Sequence, residues 1–239
     1  MTNPPTVAKP RATRNDAQRQ AILDAASLLF IAKGFGGTNI NDIADAVGTT
    51  RTALYYYFPS KESMLEALTE EVTEKASQLA QSVSGRDELP PDDALRQLIL
   101  QHAGLILSHA LQFRVVERSE SSLPEPHRSA AQGARRALLE HFVRVIQRGI
   151  EGGQFRRDAN ARIAAFSIIG MCNWTAWWFH EDGELSADAV AATIVDFGLR
   201  MLVPDRPRRG RATGIDDAIG QMREALAVFE SQTKRSSGR

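Results

Sequence analysis

The side chains best suited to contact nucleic acid are concentrated between residues 50 and 56. Hydroxyl, guanidinium and phenol groups donate hydrogen bonds to phosphate oxygens and to base edges in the grooves of DNA. On a helix, their spacing places them on an exposed face opposite Leu54 and Tyr57. The residues that carry these groups are Thr50, Arg51, Thr52, Tyr55 and Tyr56. The stretch therefore predicts a helix that contacts DNA.

Such a helix needs a partner helix and a tight turn to position it, and the preceding residues supply both. The apolar positions of the partner helix, at helical spacing, are Ile43, Ala44 and Val47. Gly48 then provides a turn residue that adopts positive φ without a Cβ clash. Thr49 or Thr50 can cap the second helix by accepting a backbone N–H. Pro59 ends that helix, and Ser60 begins the next one. The order of these features predicts a helix-turn-helix.

The motif resembles the N-terminal signature of the tetracycline-repressor (TetR) family. The matching residues, within about Gln18 to Leu65, are Thr38, Asp42, Ile43, Ala44, Gly48, Leu54, Tyr55, Tyr56, Tyr57, Phe58, Ser60, Lys61 and Glu62. The resemblance implies a dimeric, all-α transcriptional regulator whose larger C-terminal domain binds a small molecule. At exposed positions the chain departs from the family, with Thr52 and Ala53 where Gly and Thr are frequent, and Tyr56 where His is frequent. Because these positions help to select the operator, the resemblance predicts the fold but not the operator sequence.

Further DNA contacts are expected outside the second helix. Thr38 is expected to cap the first motif helix, and the resemblance implies that its hydroxyl contacts phosphate. Residues 1–16 have almost no apolar content and are predicted to be a disordered basic arm, which either enters the minor groove or only aids solubility. The complete set of predicted DNA contacts is Arg14, Thr38, Thr50, Arg51, Thr52, Ala53, Tyr55, Tyr56 and Lys61.

The charge distribution supports a DNA-binding head on a separate body. The 239-residue chain has 29 Lys and Arg against 29 Asp and Glu, so its net charge is zero. Residues 1–61 nevertheless hold seven basic against four acidic residues, and the remainder holds 22 against 25. The single cysteine, Cys172, excludes an internal disulfide and suits a reducing cytoplasm. No stretch resembles a signal peptide or a membrane span, so a cytoplasmic protein without a membrane partner is expected.

No constellation of residues supports catalysis. The five histidines include no HExxH motif and no pair at i, i+4, and the chain has neither a Gly-x-Ser-x-Gly elbow nor a GxGxxG loop. We therefore predict no catalytic residues, no metal site and no cofactor. His102 lies on an otherwise apolar helical face. It is either a hydrogen-bonded core histidine or a residue that reaches a pocket or a metal.

Helical periodicity without strand alternation predicts an all-α chain of nine helices. The predicted organisation is a basic arm (1–16), a three-helix helix-turn-helix head (17–61), a ligand-binding and dimerisation body (62–203) and a C-terminal tail (204–239). One long helix, from about Ser60 to Val83, is expected to connect the head with the body. The tail begins with a basic, Pro/Gly-broken linker, and five apolar residues at helical spacing between Ile215 and Phe229 suggest an extra helix.

All three tryptophans lie between Phe166 and Phe179, in a segment that is apolar on nearly every face. Such a helix must be covered on both sides, and the resemblance implies a ligand cavity on one side and a dimer partner on the other. The predicted cavity residues are Phe113, Asn173, Trp174 and Trp178. The predicted dimer interface consists of Ile163, Phe166, Trp177, Val190, Ile194, Phe197 and Met201. Body arginines (Arg114, Arg118, Arg144 and Arg148) could meet an acidic ligand at the cavity mouth, or else form ion pairs or a solvated face.

Together these features predict a ligand-responsive transcriptional regulator that is not an enzyme. We expect a homodimeric repressor that binds a palindromic operator on double-stranded DNA and is released by a bulky apolar acid, such as an acyl-CoA. One alternative is a multidrug-type sensor of the same family. Others are a helical enzyme or carrier with a docking head, and an activator or nucleoid-type binder without a ligand.

Overall fold

The computed structural model describes residues 14–203 and, beyond them, Ile219, Met222 and Arg223. The described residues up to Leu202 belong to one compact unit, and Val203 and the three later described residues belong to a second. The described part of the first unit is all α-helical, as predicted. The predicted arm up to residue 13, the side chain of Arg14 and nearly all of the predicted tail helix lie outside the described residues.

Three helices form the head: α1 (Arg14–Lys33), α2 (Ile40–Val47) and α3 (Arg51–Tyr57). Gly48 has φ 69°, so the turn between α2 and α3 uses the left-handed conformation that glycine adopts freely. The Thr50 side chain caps α3 by accepting from the backbone N–H of Ala53. Both features confirm the predicted helix-turn-helix. The cap of α2 is Asn39 rather than the predicted Thr38, and Asn39 and Asp42 form a reciprocal capping box.

The connecting helix is continuous but not uniform. Regular α-helix over α4 (Lys61–Thr69) and α5 (Lys75–Ser84) flanks a π-helical segment, Glu70–Glu74. A π segment accommodates extra residues per turn and changes which faces its two flanks present. Met64, Leu65 and Leu68 of α4 belong to the head core, whereas α5 contributes to the body core. The connecting helix, predicted as one long helix, therefore directs the apolar face of α4 toward the head core and that of α5 toward the body core.

Five further helices form the body: α6 (Pro91–Ser108), α7 (Ala110–Ser119), α8 (His127–Glu151), α9 (Ala161–Trp178) and α10 (Ala187–Leu202). Helix α6 is central and packs against α5, α8, α9 and α10. A 3₁₀ turn, Glu120–Ser122, follows α7. Asn160 caps α9, whereas Asp158, two residues earlier, does not. Asp158 forms an ion pair with Arg156 instead.

Helix α7 belongs to both halves of the molecule. Val115 and Val116 are buried in the head core, while Phe113 contributes to a small cluster with residues of the π segment and α9. The Gln112 side chain also donates a hydrogen bond of 3.3 Å to Asp24 of α1. The head and the body are therefore joined by two elements, the connecting helix and α7.

Candidate functional site

Helix α3 presents the predicted DNA-contacting face to solvent. Leu54 is fully buried and anchors the helix, and the Tyr56 side chain is 78% exposed. The exposed residues of the face are Arg51, Thr52, Ala53, Tyr55 and Tyr56. All of these were predicted, and their exposure leaves the face free to enter a groove.

Arg51 and Tyr55, one helical turn apart, interact on this face. The Arg51 guanidinium donates to the Tyr55 hydroxyl through Nη2 at 2.9 Å and Nε at 3.3 Å, and its Cζ lies 5.3 Å from the ring centroid. The contact restricts the rotamers that Arg51 can adopt. Less side-chain freedom then remains to be lost when the guanidinium binds a base or phosphate.

The side chains of Thr38 and Lys61, which were predicted to contact DNA, donate to backbone carbonyls within the head instead. The Thr38 side chain is 2% exposed, and its hydroxyl donates to the carbonyls of Gly34 (2.9 Å) and Leu29. The Lys61 ammonium donates to the carbonyls of Phe35 (2.8 Å) and Thr38 (3.1 Å). It also lies 4.6 Å from the centre of the Phe35 ring. Both side chains therefore fix the turn between α1 and α2, because that turn leaves carbonyl groups that need donors.

A cavity of about 440 Å³ lies in the body, within the size range of small-molecule sites. Its walls come from the π segment and from helices α5 to α9, and they are largely apolar. The residues that line it are Val72, Thr73, Ala76, His102, Ile106, Phe113, Val116, Glu117, Arg135, Arg136, Leu138, Leu139, Arg162, Phe166, Ile169, Gly170 and Asn173.

One polar pair lies among these apolar walls. His102 Nε2 of α6 and Asn173 Oδ1 of α9 are 2.9 Å apart. The His102 side chain is 5% exposed, and burial lowers its pKa from 6.5 to about 4, so the imidazole is neutral. Because the amide oxygen can only accept, Nε2 carries the proton and donates. The sequence left two alternatives for His102, a hydrogen-bonded core histidine or a residue that reaches a pocket. The structure combines them, because His102 is buried and hydrogen-bonded and also lines the cavity.

Three arginines line the cavity where its wall reaches the surface. Arg135 pairs with Glu117 at 3.1 Å and also with Glu120. Arg162 pairs with Glu140 at 3.0 Å. Among the residues that the structure describes, Arg136 has no ion-pair partner, and its side chain is exposed.

The predicted arginines are not the ones that line the cavity. Arg114, Arg118, Arg144 and Arg148 are absent from its lining. Arg148 instead donates to the carbonyl of Leu89 at 2.7 Å and pairs with Asp87, which fixes the loop before α6.

Of the predicted cavity residues, the structure places Phe113 and Asn173 in the lining and the two tryptophans outside it. Trp174 is 64% exposed and Trp178 is 43% exposed. The reason is the rotation of α9. Its cavity face consists of residues at helical spacing, namely Phe166, Ile169, Gly170 and Asn173. Trp174 and Trp178 lie on a different face of α9.

The predicted dimer residues are divided among three environments. Ile163, Phe197 and Met201 are exposed, whereas Val190 and Ile194 are buried in the core of the chain because α10 packs against α6. Phe166, as described, lines the cavity. The Trp177 ring meets Phe113 edge to face, with centroids 5.6 Å apart. Phe166 is nevertheless 57% exposed, and the Trp177 ring also stacks on that of Trp174, with centroids 5.7 Å apart.

A second depression of about 330 Å³ lies between α9 and α10 on the outside of the body. We call it the outer groove. Its residues are Met171, Trp174, Trp178, Leu185, Ala189, Val190, Thr193, Ile194 and Phe197. Its exposed apolar residues are Trp174, Trp178, Leu185 and Phe197.

The described residues contain neither a metal-binding cluster nor a reactive thiol. No group of three or more His, Cys, Asp or Glu residues in this part of the chain is arranged to hold a metal ion. Cys172 is buried, which raises the pKa of its thiol to about 12 and keeps the reactive thiolate form scarce. Across the same residues, no helix has the length and hydropathy to span a bilayer.

Comparisons with known proteins match both halves of the chain. Residues 22–68 match the model of bacterial regulatory proteins of the tetR family, and residues 88–202 match a tetracyclin repressor-like C-terminal domain. The probable HTH-type transcriptional regulator ArpR of Pseudomonas putida is 37% identical over 170 residues, which cover 66% of this chain and 80% of that protein.

Solved structures share the fold over nearly their whole length. The ketosteroid transcriptional regulator KstR2 of Mycobacterium tuberculosis has a TM-score of 0.72 and 23% identity, covering 84% of this chain and 100% of that one. AibR in complex with isovaleryl coenzyme A and operator DNA has a TM-score of 0.61 and 24% identity, covering 78% and 98%. The helix-turn-helix head, the helical body and these matches together show that the chain is a transcriptional regulator and belongs to the tetR family of bacterial regulatory proteins.

Proposed function

We propose that the protein is a homodimeric repressor that binds a palindromic operator and is released by a small-molecule effector in the 440 Å³ cavity. The observation that carries this proposal is the position of the cavity. Val72 and Thr73 of the π segment and Phe113 and Val116 of α7 all line it. These are the two elements that join the body to the head. A ligand that binds one arrangement of them better than another shifts the population of head positions.

DNA binding is assigned to the exposed face of α3. Arg51 and Tyr55 present a preordered guanidinium and hydroxyl, and Thr52 and Tyr56 flank them. Thr50 contributes mainly as the cap of α3. The structural roles of Thr38 and Lys61 support the turn before α2, and one of the three ammonium N–H groups of Lys61 remains for a phosphate.

The outer groove is the proposed dimer surface. Trp174 and Phe197 are more than half exposed, and the exposed Ile163 and Met201 lie on the same two helices. Burying apolar area of this kind contributes roughly 25 cal/mol per Å², so a second copy of the same surface is a suitable cover. A two-fold dimer also matches a palindromic operator, because its two α3 helices reach half-sites about one DNA turn apart.

The effector is proposed to be a bulky, largely apolar acid, with an acyl-CoA as the leading candidate. The walls are apolar, and Arg136, which has no ion-pair partner among the described residues, supplies positive charge where the cavity reaches the surface. The AibR complex supports this class at the level of the fold, because it contains a coenzyme A thioester and DNA. A cationic multidrug ligand is less favoured, since the lining carboxylate of Glu117 is already paired with Arg135.

The test combines operator selection with ligand titration. Random DNA bound by the protein is selected and sequenced, and the enriched operator is labelled for fluorescence anisotropy. Acyl-CoAs of increasing chain length and planar cationic drugs are then titrated into the complex, and their binding is measured by calorimetry. We expect acyl-CoAs to bind and to release the operator, with weaker binding by Arg136→Gln than by the wild type.

Arg96→Gln is the matched control, because Arg96 is an exposed arginine of α6 outside the cavity. It removes the same charge and should leave acyl-CoA affinity unchanged. Release by cationic drugs alone would assign the protein to the multidrug sensors. Operator binding that no compound affects would contradict the ligand-responsive proposal.

A further inference from the structure

The hydrogen bond between His102 and Asn173 settles which polar atoms the cavity offers to a ligand. Asn173 Oδ1 accepts from His102 Nε2 over 2.9 Å. The other end of the Asn173 amide is Nδ2, which carries two N–H donors. Among the described residues, Nδ2 has no hydrogen-bond partner, although Asn173 lines the cavity and is only partly buried. The cavity therefore presents an unused neutral donor.

The imidazole makes no second hydrogen bond within the described residues. His102 Nδ1 is buried and has no hydrogen-bond partner among the described residues. An unpaired buried acceptor destabilises a fold, so an apolar residue would suit this core position better. The ring packs edge to face against Phe142 at 6.1 Å, which limits its rotation. A fixed imidazole fixes the orientation of the amide in turn.

The chemistry of this donor differs from that of the arginines. An ionised carboxylate or phosphate is strongly disfavoured beside a neutral amide and apolar walls, because it loses its hydration without gaining a counter-charge. A ketone or ester carbonyl is neutral and accepts one or two hydrogen bonds. The acidic group of a ligand therefore belongs near the unpaired Arg136, and a neutral acceptor belongs at Asn173.

We propose that the effector carries a neutral carbonyl oxygen within its apolar portion, which accepts a hydrogen bond from Asn173 Nδ2, and that His102 acts as the positioning residue for that amide. This inference rests on the proposed function, since it specifies the ligand of the same cavity. It narrows the ligand class from an apolar acid to an oxo-substituted one. A saturated hydrocarbon chain would leave the amide donors without a partner.

The experiment compares a medium-chain saturated acyl-CoA with its mono-oxo derivatives, which carry the ketone at successive positions along the chain. Dissociation constants are measured by calorimetry on the full-length wild type and four variants. In the wild type, we expect at least one derivative to bind about 2- to 10-fold more tightly than the saturated parent, the range of one net hydrogen bond. Asn173→Leu should abolish or reverse that preference.

Three further variants distinguish the positioning of the Asn173 amide by His102 from changes in the packing of the cavity walls. Phe113→Leu reshapes an apolar wall and should weaken the parent and the derivative by similar factors. His102→Phe should reduce the preference for the oxo compound, because the amide is then free to rotate. His102→Gln should restore part of it, since its side-chain N–H can donate to Asn173 Oδ1. Circular dichroism melting confirms that each variant is folded.

The outcomes separate this inference from the proposed function. Equal wild-type affinity for the parent and every derivative overturns the carbonyl proposal while leaving the acyl-CoA class intact. A preference that persists unchanged in Asn173→Leu also overturns it. Absence of binding by all compounds, including the saturated parent, refutes the acyl-CoA class and this proposal with it.

Discussion

His102 should make the stability of the body depend on pH in a way that one substitution removes. Burial lowers the pKa of the folded-state imidazole from 6.5 to about 4. Below pH 6.5 the unfolded chain therefore takes up a proton that the folded chain does not. Folding stability is consequently lost as pH falls through this window, and the contribution is fully present above it. Each pH unit of the gap corresponds to about 1.4 kcal/mol, so the total is about 3 kcal/mol.

The assay is urea unfolding of the wild type and His102→Phe at a series of pH values from neutral down to about 4. Other titrating groups act equally in both proteins, so the difference between their unfolding free energies isolates His102. We expect the difference to change by about 3 kcal/mol in favour of the variant as pH falls. At neutral pH the variant should be at least as stable, because it removes the unpaired Nδ1.

His180→Gln is the control, since His180 is exposed at the end of α9. It should follow the wild-type curve. The reasoning is refuted if wild type and His102→Phe lose stability in parallel across this pH range, which would mean that the imidazole takes up its proton equally in the folded and unfolded states.

Four further substitutions test other contacts. Lys61→Met should lower the melting temperature and weaken binding to operator and unrelated DNA by a similar factor, because two turn carbonyls lose their donor; an unchanged melting temperature would contradict this role. Tyr55→Phe should reduce operator affinity more than affinity for unrelated DNA in anisotropy titrations, because the hydroxyl orients the neighbouring guanidinium; equal losses would exclude a role in base reading. Phe197→Glu should yield monomers in sedimentation and abolish operator binding, whereas a persistent dimer would place the interface elsewhere. Gly149→Ala should destabilise the body by about 1–3 kcal/mol in urea unfolding, because its new Cβ would overlap the buried ring of Phe155, and full stability would show that the ring can move.

The head was the part most accurately predicted from the sequence, because its features are local. Gly48 and Thr50 act through their own backbone and the adjacent turn, so their residue types identified their roles. The cap of α2 was assigned to the wrong neighbour. Thr38 and Asn39 are both good capping residues, and only the carbonyls of α1, which lie close in space, determine that the Thr38 hydroxyl is directed inward.

The body shows why periodicity alone does not identify a cavity. Size and aromatic character suggested that Trp174 and Trp178 line it, but the packing of α9 against α6 and α8 turns those rings outward. Asn173 lines the cavity, and the residues that share its face of α9 precede it at helical spacing. The arginines on the cavity, Arg135, Arg136 and Arg162, are brought together by contact between α8 and α9, which the sequence does not reveal.

The π segment between α4 and α5 has a consequence for the direction in which the head faces. A regular α-helix turns by about 100° per residue, so removing or adding one residue rotates everything beyond it by that angle. The segment Glu70–Glu74 therefore sets the angle by which α4 is rotated about the helix axis relative to α5. The direction in which α3 faces around the connecting helix is therefore set by the number of residues in this one turn, as well as by the packing at the two ends of the connecting helix. A single-residue deletion here would favour a different direction for the DNA-contacting face, and this rotation would be opposed by Val115 and Val116 of α7, which are packed in the head core.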